Sequence, residues 1–201
     1  MSNSPATRYR DLGDVDALMD EVEEFLVGTR VGGMVDRRVV TVVFTDVVGS
    51  TERVAAEGDR RWGGMLEALR TRIRSSIARY GGTEVDTAGE GFFIAFTSPR
   101  SALECALKVR TIGAELGLRQ RIGVHTGEVL VRGGSLTGMA VHVGARVSGL
   151  ATPDQICVSQ TVRDLMVGSG FQFDTCGVHE LKGVPGKWEL LALDATASAT
   201  T

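Results

Sequence analysis

Two acidic residues stand where a folded chain could use them together. Asp46 follows Val39 to Phe44, a run of β-branched and aromatic residues typical of a strand buried on both faces. Glu90 lies 44 residues later, in the turn between two short predicted strands. Carboxylates at the ends of neighbouring strands can hold divalent ions over a phosphate, since Mg²⁺ prefers one or two carboxylates plus substrate oxygens. Two isolated acids are nevertheless more often a cap for the following turn and a solvated turn residue.

The residues directly after Asp46 favour the metal and phosphate interpretation. Val47-Val48-Gly49-Ser50-Thr51 opens a predicted helix, and the free backbone N–H groups at a helix start can receive a triphosphate. The carbonyl of Val47 can add a metal ligand. A metal-binding acid beside an anion-binding helix start indicates a nucleotide-phosphate site.

Hydrophobic periodicity and turn residues predict the elements that must position this site. In chain order they are a strand over Val39–Phe44, a long helix from VVGST to a stop at Gly81-Gly82, strands Thr83–Asp86 and Phe92–Phe96, a helix after Ser98-Pro99, a strand region Gln120–Val131 broken near Thr126-Gly127, a helix Val141–Leu150, a strand near Gln155–Val158, a helix near Thr161–Val167, and two strands around 171–181 and 187–193. The core order β-α-β-β-α-β predicts an α/β (α+β) fold, a ferredoxin-like plait with a mainly antiparallel sheet.

The chain divides into three predicted parts. Residues 1–36 form an N-terminal arm with a short amphipathic helix, which begins at Asp14 or Asp16 and ends at Leu26 or Val27. Residues 37–194 form the main domain, and residues 195–201 are expected to be a frayed tail.

Composition excludes several classes of protein. The 201 residues carry a net charge of −3 and only 5% aromatics, which argues against nucleic-acid binding. Three widely spaced cysteines, with no CxxC pair, predict buried free thiols in a reducing compartment. No apolar run reaches the roughly 18 residues of a membrane span, and the polar N-terminus lacks the apolar core of a signal peptide. We therefore expect a cytoplasmic protein without membrane or nucleic-acid partners.

Five segments together resemble the class III nucleotidyl cyclase catalytic domain of the soluble bacterial type. They are VVFTDVVGST, TEVDTAGEGFFIAF, RIGVHTGEV, GMAVHVGARV and ELKGVPGKWEL, and they occur in the family's order over about residues 37–194. The resemblance implies an adenylyl or guanylyl cyclase domain that works as a head-to-tail homodimer, with two sites at the interface.

The matched positions imply roles for individual residues. Asp46 and Glu90 take the places of two metal-binding acids, although Asp is usual at the position of Glu90. Arg146 takes the place of the arginine that stabilises the transition state. His142, four residues earlier on the same helix face, stands where Asn is usual.

The resemblance also assigns the contacts to the substrate. Lys182 matches the lysine that grips the terminal phosphates, and the base-reading pair falls at Asp86 and Ser135. Adenylyl cyclases usually have Lys and Asp at that pair, whereas guanylyl cyclases have Glu and Cys. The implied reaction converts ATP to 3′,5′-cyclic AMP and pyrophosphate with two Mg²⁺ or Mn²⁺ ions per site, and GTP is a possible substrate.

Other interpretations compete with an active cyclase. A cyclase-homology module of low activity, which binds a nucleotide or a partner, is favoured by the altered residues Glu90, Asp86 and Ser135. A polymerase palm or a diguanylate cyclase would share the plait, but their acidic signatures are absent and GARV with Lys182 argues against them. His125 is expected to orient a turn and is given no catalytic role.

Overall fold

The computed structural model describes residues 36–87, 89–132 and 135–194. Its elements are β1 (Asp36–Val47), α1 (Ser50–Glu57), α2 (Asp59–Arg79), β2 (Thr83–Asp86), β3 (Phe92–Phe96), α3 (Pro99–Glu115), β4 (Gln120–Arg132), β5 (Ser135–Thr137), α4 (Met139–Leu150), β6 (Ile156–Ser159), α5 (Gln160–Leu165), β7 (Phe173–Glu180) and β8 (Lys187–Leu193). The predicted helix of the N-terminal arm and the predicted frayed tail at 195–201 lie outside the described residues.

The sheet confirms the predicted plait. Its strands run in the order β2-β3-β1-β4-β6-β8-β7, with β5 paired to β4 alone. The first four strands are antiparallel neighbours, as a β-α-β-β-α-β unit requires. β6 is parallel to β4, and β8 and β7 then continue the sheet in antiparallel pairs.

The central strand β1 is buried on both faces, as its apolar run predicts. Val43 and Val47 face one hydrophobic core with α2 and α3, whose buried stripes include Leu69 and Leu103. Val40 and Val42 lie in a second cluster with Ala140 of α4, on the opposite face. The sheet is therefore covered on both sides along the middle of β1, and Asp46 lies at the C-terminal end of this strand.

Tertiary structure corrects two local predictions and adds one strand. The predicted long helix is two helices, because Gly58 adopts φ 80° and ψ 151° and ends α1 before α2 begins. The strand β4 is not broken at Thr126-Gly127, since both residues stay in register with β1. A Cβ at Gly127 would come within 2.9 Å of the Ala140 side chain, so this glycine permits close packing of α4. The short strand β5 was not predicted.

The described cysteines are free thiols, as predicted. Cys105 and Cys157 are buried and Cys176 is half-buried, and burial raises the pKa of the Cys105 thiol to about 12. None of the helices in the described ranges is long and apolar enough to cross a membrane.

Candidate active site

The first predicted metal acid lies at the C-terminal end of the central strand. Asp46 is opposite Arg121 in the β1–β4 register, and Nη2 of Arg121 donates a hydrogen bond to Oδ2 of Asp46 at 2.5 Å. The Asp46 side chain remains 44% exposed. Sequence reasoning missed Arg121, because only the pairing of two strands that are distant in sequence brings it to Asp46. The one signal in the sequence is that Arg121 lies in RIGVHTGEV, one of the five segments that resemble the cyclase family.

The second predicted acid lies at the same end of the neighbouring strand. β3 begins at Phe92, opposite Thr45 of β1, and the Phe92 amide also donates to the Thr45 hydroxyl at 3.1 Å. Glu90 precedes this point by two residues, in the turn that joins β2 to β3. The structure therefore places Asp46 and Glu90 on adjacent strand ends.

A backbone carbonyl completes an oxygen donor set at this end of the sheet. The Val48 amide donates to the Arg119 carbonyl at 2.9 Å, on the β4 side. Since ladder groups alternate between the two neighbours of a strand, the Val47 carbonyl points to the other side, past the start of β3. Two carboxylates and a carbonyl suit Mg²⁺ or Mn²⁺. Among the described residues, no group of three or more His, Cys, Asp or Glu side chains could hold a metal.

The start of α1 supplies fewer free donors than predicted. Gly49 is the N-cap residue, in the left-handed region with φ 70° and ψ 30°, and no side chain caps the helix. Ser50 and Thr51 open the helix, so their N–H groups have no intrahelical partner. The amide of Val48 is not free, because the Arg119 carbonyl accepts its hydrogen bond. The Val48 amide is therefore not available for the predicted phosphate contact. The free N–H groups at the start of α1 begin at Gly49.

The predicted catalytic arginine and phosphate-binding lysine lie side by side. Arg146 is exposed on α4, and its Nε donates to the Lys182 carbonyl at 3.1 Å. Lys182 lies in the loop between β7 and β8, where Leu181 and Val184 are buried against Val143 and Val147 of α4. These apolar contacts fix the loop on the helix, which explains how residues 36 positions apart meet. His142 is also exposed, one helical turn before Arg146.

The acidic and basic groups make no direct contact within the described part of one chain. Asp46 and Arg121 line a cavity of about 230 Å³ with Ala145 and Gly149 of α4, the residue before Arg146 and the third residue after it. No hydrogen bond or ion pair in the described part of the chain joins Asp46 or Glu90 to Arg146 or Lys182.

The predicted base-reading residues are also apart. Asp86 ends β2, and its Oδ1 accepts from the Thr87 amide at 2.7 Å. Ser135 begins β5, opposite Arg132 of β4. Both residues are exposed. β3 and β1 lie between β2 and β4 in the sheet, so the structure does not pair the two residues directly.

His125 belongs to the packing between β4 and the later strands. It is only 5% exposed, and its Nδ1 lies 2.7 Å from the Ser159 hydroxyl of β6. The Trp188 ring packs edge-on against it, with centroids 5.7 Å apart. Burial lowers the pKa of His125 to about 4.

Comparison with known proteins identifies the class of domain to which this plait belongs. Residues 34–195 match the family model described as "Adenylate and Guanylate cyclase catalytic domain". The chain belongs to this family.

Individual relatives support the same assignment. A pH-sensitive adenylate cyclase of Mycobacterium tuberculosis is 30% identical over 90% of this chain and 48% of its own length. A receptor-type guanylate cyclase of Caenorhabditis elegans is 29% identical over 71% of this chain and 16% of its own. The chain therefore spans less than half of these relatives. The adenylyl cyclase CyaB from P. aeruginosa superposes with a TM-score of 0.77 over 84% of this chain and 100% of its own, and at 16% identity this shows the fold alone.

The burial of His125 predicts an acid-sensitive fold. The unfolded chain protonates this imidazole near pH 6.5, whereas the folded protein does so only near pH 4, so protonation favours unfolding. The stability from His125 is fully present above pH 6.5 and is lost as the pH falls towards 4, by about 3 kcal/mol in total. Urea unfolding between pH 4 and 7 should show a flatter pH dependence for His125→Gln than for the wild type. Equal slopes in the two proteins would contradict this role for His125.

Proposed function

We propose that this domain is a metal-dependent nucleotidyl cyclase that converts ATP to 3′,5′-cyclic AMP and pyrophosphate. The observation that carries the proposal is the placement of Asp46 and Glu90 at the same end of adjacent strands, beside the uncapped start of α1. ATP is the proposed substrate because a relative that covers 90% of the chain is named an adenylate cyclase. The three free thiols favour a reducing, cytoplasmic location.

Asp46, Glu90 and the Val47 carbonyl are the residues that would hold two Mg²⁺ or Mn²⁺ ions together with the substrate phosphates. Such ions lower the pKa of a bound hydroxyl and neutralise charge on a leaving phosphate. In the structure, Arg121 neutralises Asp46, so Asp46 must exchange or share this partner when it becomes a metal ligand.

The remaining residues act directly on the nucleotide. The N–H groups of Gly49, Ser50 and Thr51 would receive the triphosphate at the positive end of α1. The ribose 3′-oxygen attacks the α-phosphorus in line, and the bond to pyrophosphate breaks. Arg146 would donate to the charge that develops on the α-phosphate, because its guanidinium presents a rigid fork of donors. Lys182 would hold the departing pyrophosphate.

His142 and the two base-reading residues, Asp86 and Ser135, complete the proposed contacts to the nucleotide. His142 projects from α4 on the same side as Arg146 and would donate one hydrogen bond to orient the nucleotide, in place of the usual amide. Asp86 and Ser135 are exposed strand-end residues, so both are free to meet the edge of a base.

The active species is proposed to be a head-to-tail homodimer. The absence of a direct contact between the acids and Arg146 or Lys182 in the described part of one chain supports a site that two chains complete. An aromatic surface on the α4 side also supports it. Phe44 and Phe93 stack there with ring centroids 4.5 Å apart, although both are only half-buried.

A module that binds nucleotide with little turnover is the second candidate. The Asp46–Arg121 ion pair favours it, because a metal must compete with the guanidinium for the carboxylate. Glu90 favours it as well, since the extra methylene relative to Asp displaces the carboxylate by about 1.5 Å, and a shift of that order can cost about 100-fold in rate.

The first experiment separates these candidates. The protein is incubated with ATP and, separately, with GTP in the presence of Mg²⁺ or Mn²⁺, and the cyclic products are resolved by chromatography. We expect cyclic AMP that forms only with a divalent ion and is abolished by Asp46→Ala. The matched control is Asp36→Ala, an exposed acid at the other end of β1, which should retain activity. Nucleotide binding without any cyclic product would establish the low-activity module.

A mixing experiment tests the shared site. Asp46→Ala and Arg146→Ala chains should each be inactive, whereas their heterodimer keeps one site with both residues intact. With random exchange, half of the dimers are heterodimers, and each of them keeps one of its two sites intact. The mixture should therefore show roughly a quarter of wild-type activity. The matched control mixes Arg146→Ala with Lys182→Ala, which alter the same side and should restore none. No recovery in the first mixture, with subunit exchange demonstrated, would place the site within one chain.

Base selection is predicted to depend on Asp86 and Ser135. Asp86 can accept hydrogen bonds from the N1–H and N2–H groups of guanine, but against adenine it faces the N1 lone pair, and an unpaired buried acceptor costs about 1–3 kcal/mol. The serine hydroxyl both donates and accepts, so it discriminates little. Asp86→Lys with Ser135→Asp should raise the ATP-to-GTP ratio of kcat/KM. An unchanged ratio in an active double variant would show that these positions do not read the base.

A further inference from the structure

The turn that carries Glu90 receives little support from its own hairpin. β2 is an edge strand of the sheet, and its register with β3 contains three pairs, the last of them Asp86 with Phe93. The pairing shifts by a bulge just before that last pair. Gly89 turns the chain with φ 61°, so Glu90 lies beyond the last paired residue. Its position therefore depends on contacts from outside the hairpin.

Two arginines one helical turn apart on α2 reach this hairpin at different points. Nη2 of Arg70 donates a hydrogen bond to the Gly89 carbonyl, at the tip of the turn. Nε and Nη2 of Arg74 donate to the two carboxylate oxygens of Glu84, at 2.9 and 3.0 Å, near the base of the hairpin. Arg74 thus holds the strand β2, and its guanidinium also lies over the Phe92 ring, 5.7 Å from the centroid. Arg70 holds the peptide adjacent to Glu90.

The environment of Arg70 differs from that of a solvated surface arginine. Its Nε is buried and has no hydrogen-bond partner among the described residues. The helix beneath it is anchored by Leu69 and Ile73, which are 0% and 1% exposed. Arg74, by comparison, has a side chain that is 47% exposed. Arg70, half-buried with its Nε enclosed, therefore makes a defined contact from a fixed helix to the turn.

We propose that Arg70 is a positioning residue for the metal site: by holding the Gly89 carbonyl, it sets where the Glu90 carboxylate reaches. This rests on the proposed role of Glu90 as a metal ligand. A guanidinium donates a charge-assisted hydrogen bond, which is stronger than a neutral one. Residues that orient a metal ligand typically change metal affinity 10- to 100-fold when they are removed. Arg70 needs no contact with the substrate for this role.

The test measures metal binding directly as well as activity. Arg70→Met keeps the apolar stem and removes every donor, Arg70→Lys keeps a charged donor, and Arg74→Met is the matched control on the same helix. Each full-length protein is saturated with a 3′-deoxy nucleoside triphosphate, which cannot cyclise. Free Mn²⁺ is then counted by its electron paramagnetic resonance signal, against a sample of the nucleotide alone.

Arg70→Met should weaken Mn²⁺ binding at least about tenfold, and Arg70→Lys should recover part of that loss. In activity assays, the Mn²⁺ concentration for half-maximal rate should rise in parallel, while the rate at saturating Mn²⁺ changes much less. Arg74→Met should lower the melting temperature but leave Mn²⁺ affinity within about twofold, because Arg74 contacts Glu84 and the Phe92 ring but not the peptide next to Glu90. Equal losses in the Arg70 and Arg74 variants would show a merely structural role and overturn the proposal.

Glu90→Gln separates this proposal from the function on which it rests. If Glu90→Gln weakens Mn²⁺ binding and Arg70→Met adds no further loss in that background, Arg70 acts through Glu90. If Glu90→Gln weakens binding but neither Arg70 variant does, the positioning role is wrong while the metal site stands. If Glu90→Gln leaves Mn²⁺ binding unchanged, the metal assignment and the proposal fail together. If Arg70→Met does not fold, the Mn²⁺ affinity of Arg70→Lys, compared with that of the wild type, tests the proposal alone.

Discussion

The pairing of β1 with both of its neighbours is the constraint on which the site depends. β1 is in register with β3 through Thr45 and Phe92 and with β4 through Asp46 and Arg121. Because side chains alternate across a strand, a slip of one residue would move every β1 side chain to the other face. Such a slip would carry the Asp46 carboxylate to the face where Val43 and Val47 are buried in the core, and burying an unpaired charge is costly. Burial of apolar residues thereby fixes the position of a half-exposed carboxylate.

Close packing of α4 on the sheet fixes the positions of the basic residues Arg146 and Lys182. A Cβ at Gly123 of β4 would lie 2.2 Å from the Ser148 amide, and one at Gly144 would lie 2.6 Å from Val42. Glycine at these two positions lets the helix rest directly on β4 and β1. Val143 and Val147 then bury the loop residues Leu181 and Val184. The position of Lys182 beside Arg146 is therefore a consequence of apolar packing.

Local sequence patterns predicted the helices and strands better than the contacts between distant segments. The hairpin strands Thr83–Asp86 and Phe92–Phe96 have the predicted bounds, because turn residues and β-branched runs act within a few positions. The continuity of β4, the strand β5 and the Arg121–Asp46 contact depend on pairing between distant segments, which periodicity does not encode. The amide of Val48 was misjudged for the same reason, since its acceptor, Arg119, lies 71 positions away.

Charge balance links metal binding to nucleotide binding in the proposed site. Asp46 is neutralised by Arg121, and the guanidinium of Arg70 lies at the peptide next to Glu90. Two divalent ions would add four positive charges to a region whose carboxylates already have cationic neighbours. A triphosphate brings the negative charge that offsets this excess, and Coulomb attraction strengthens as water is excluded. In the proposed site, the Arg121 cation that competes with a metal for Asp46 in the free protein would therefore favour joint binding of metal and nucleotide.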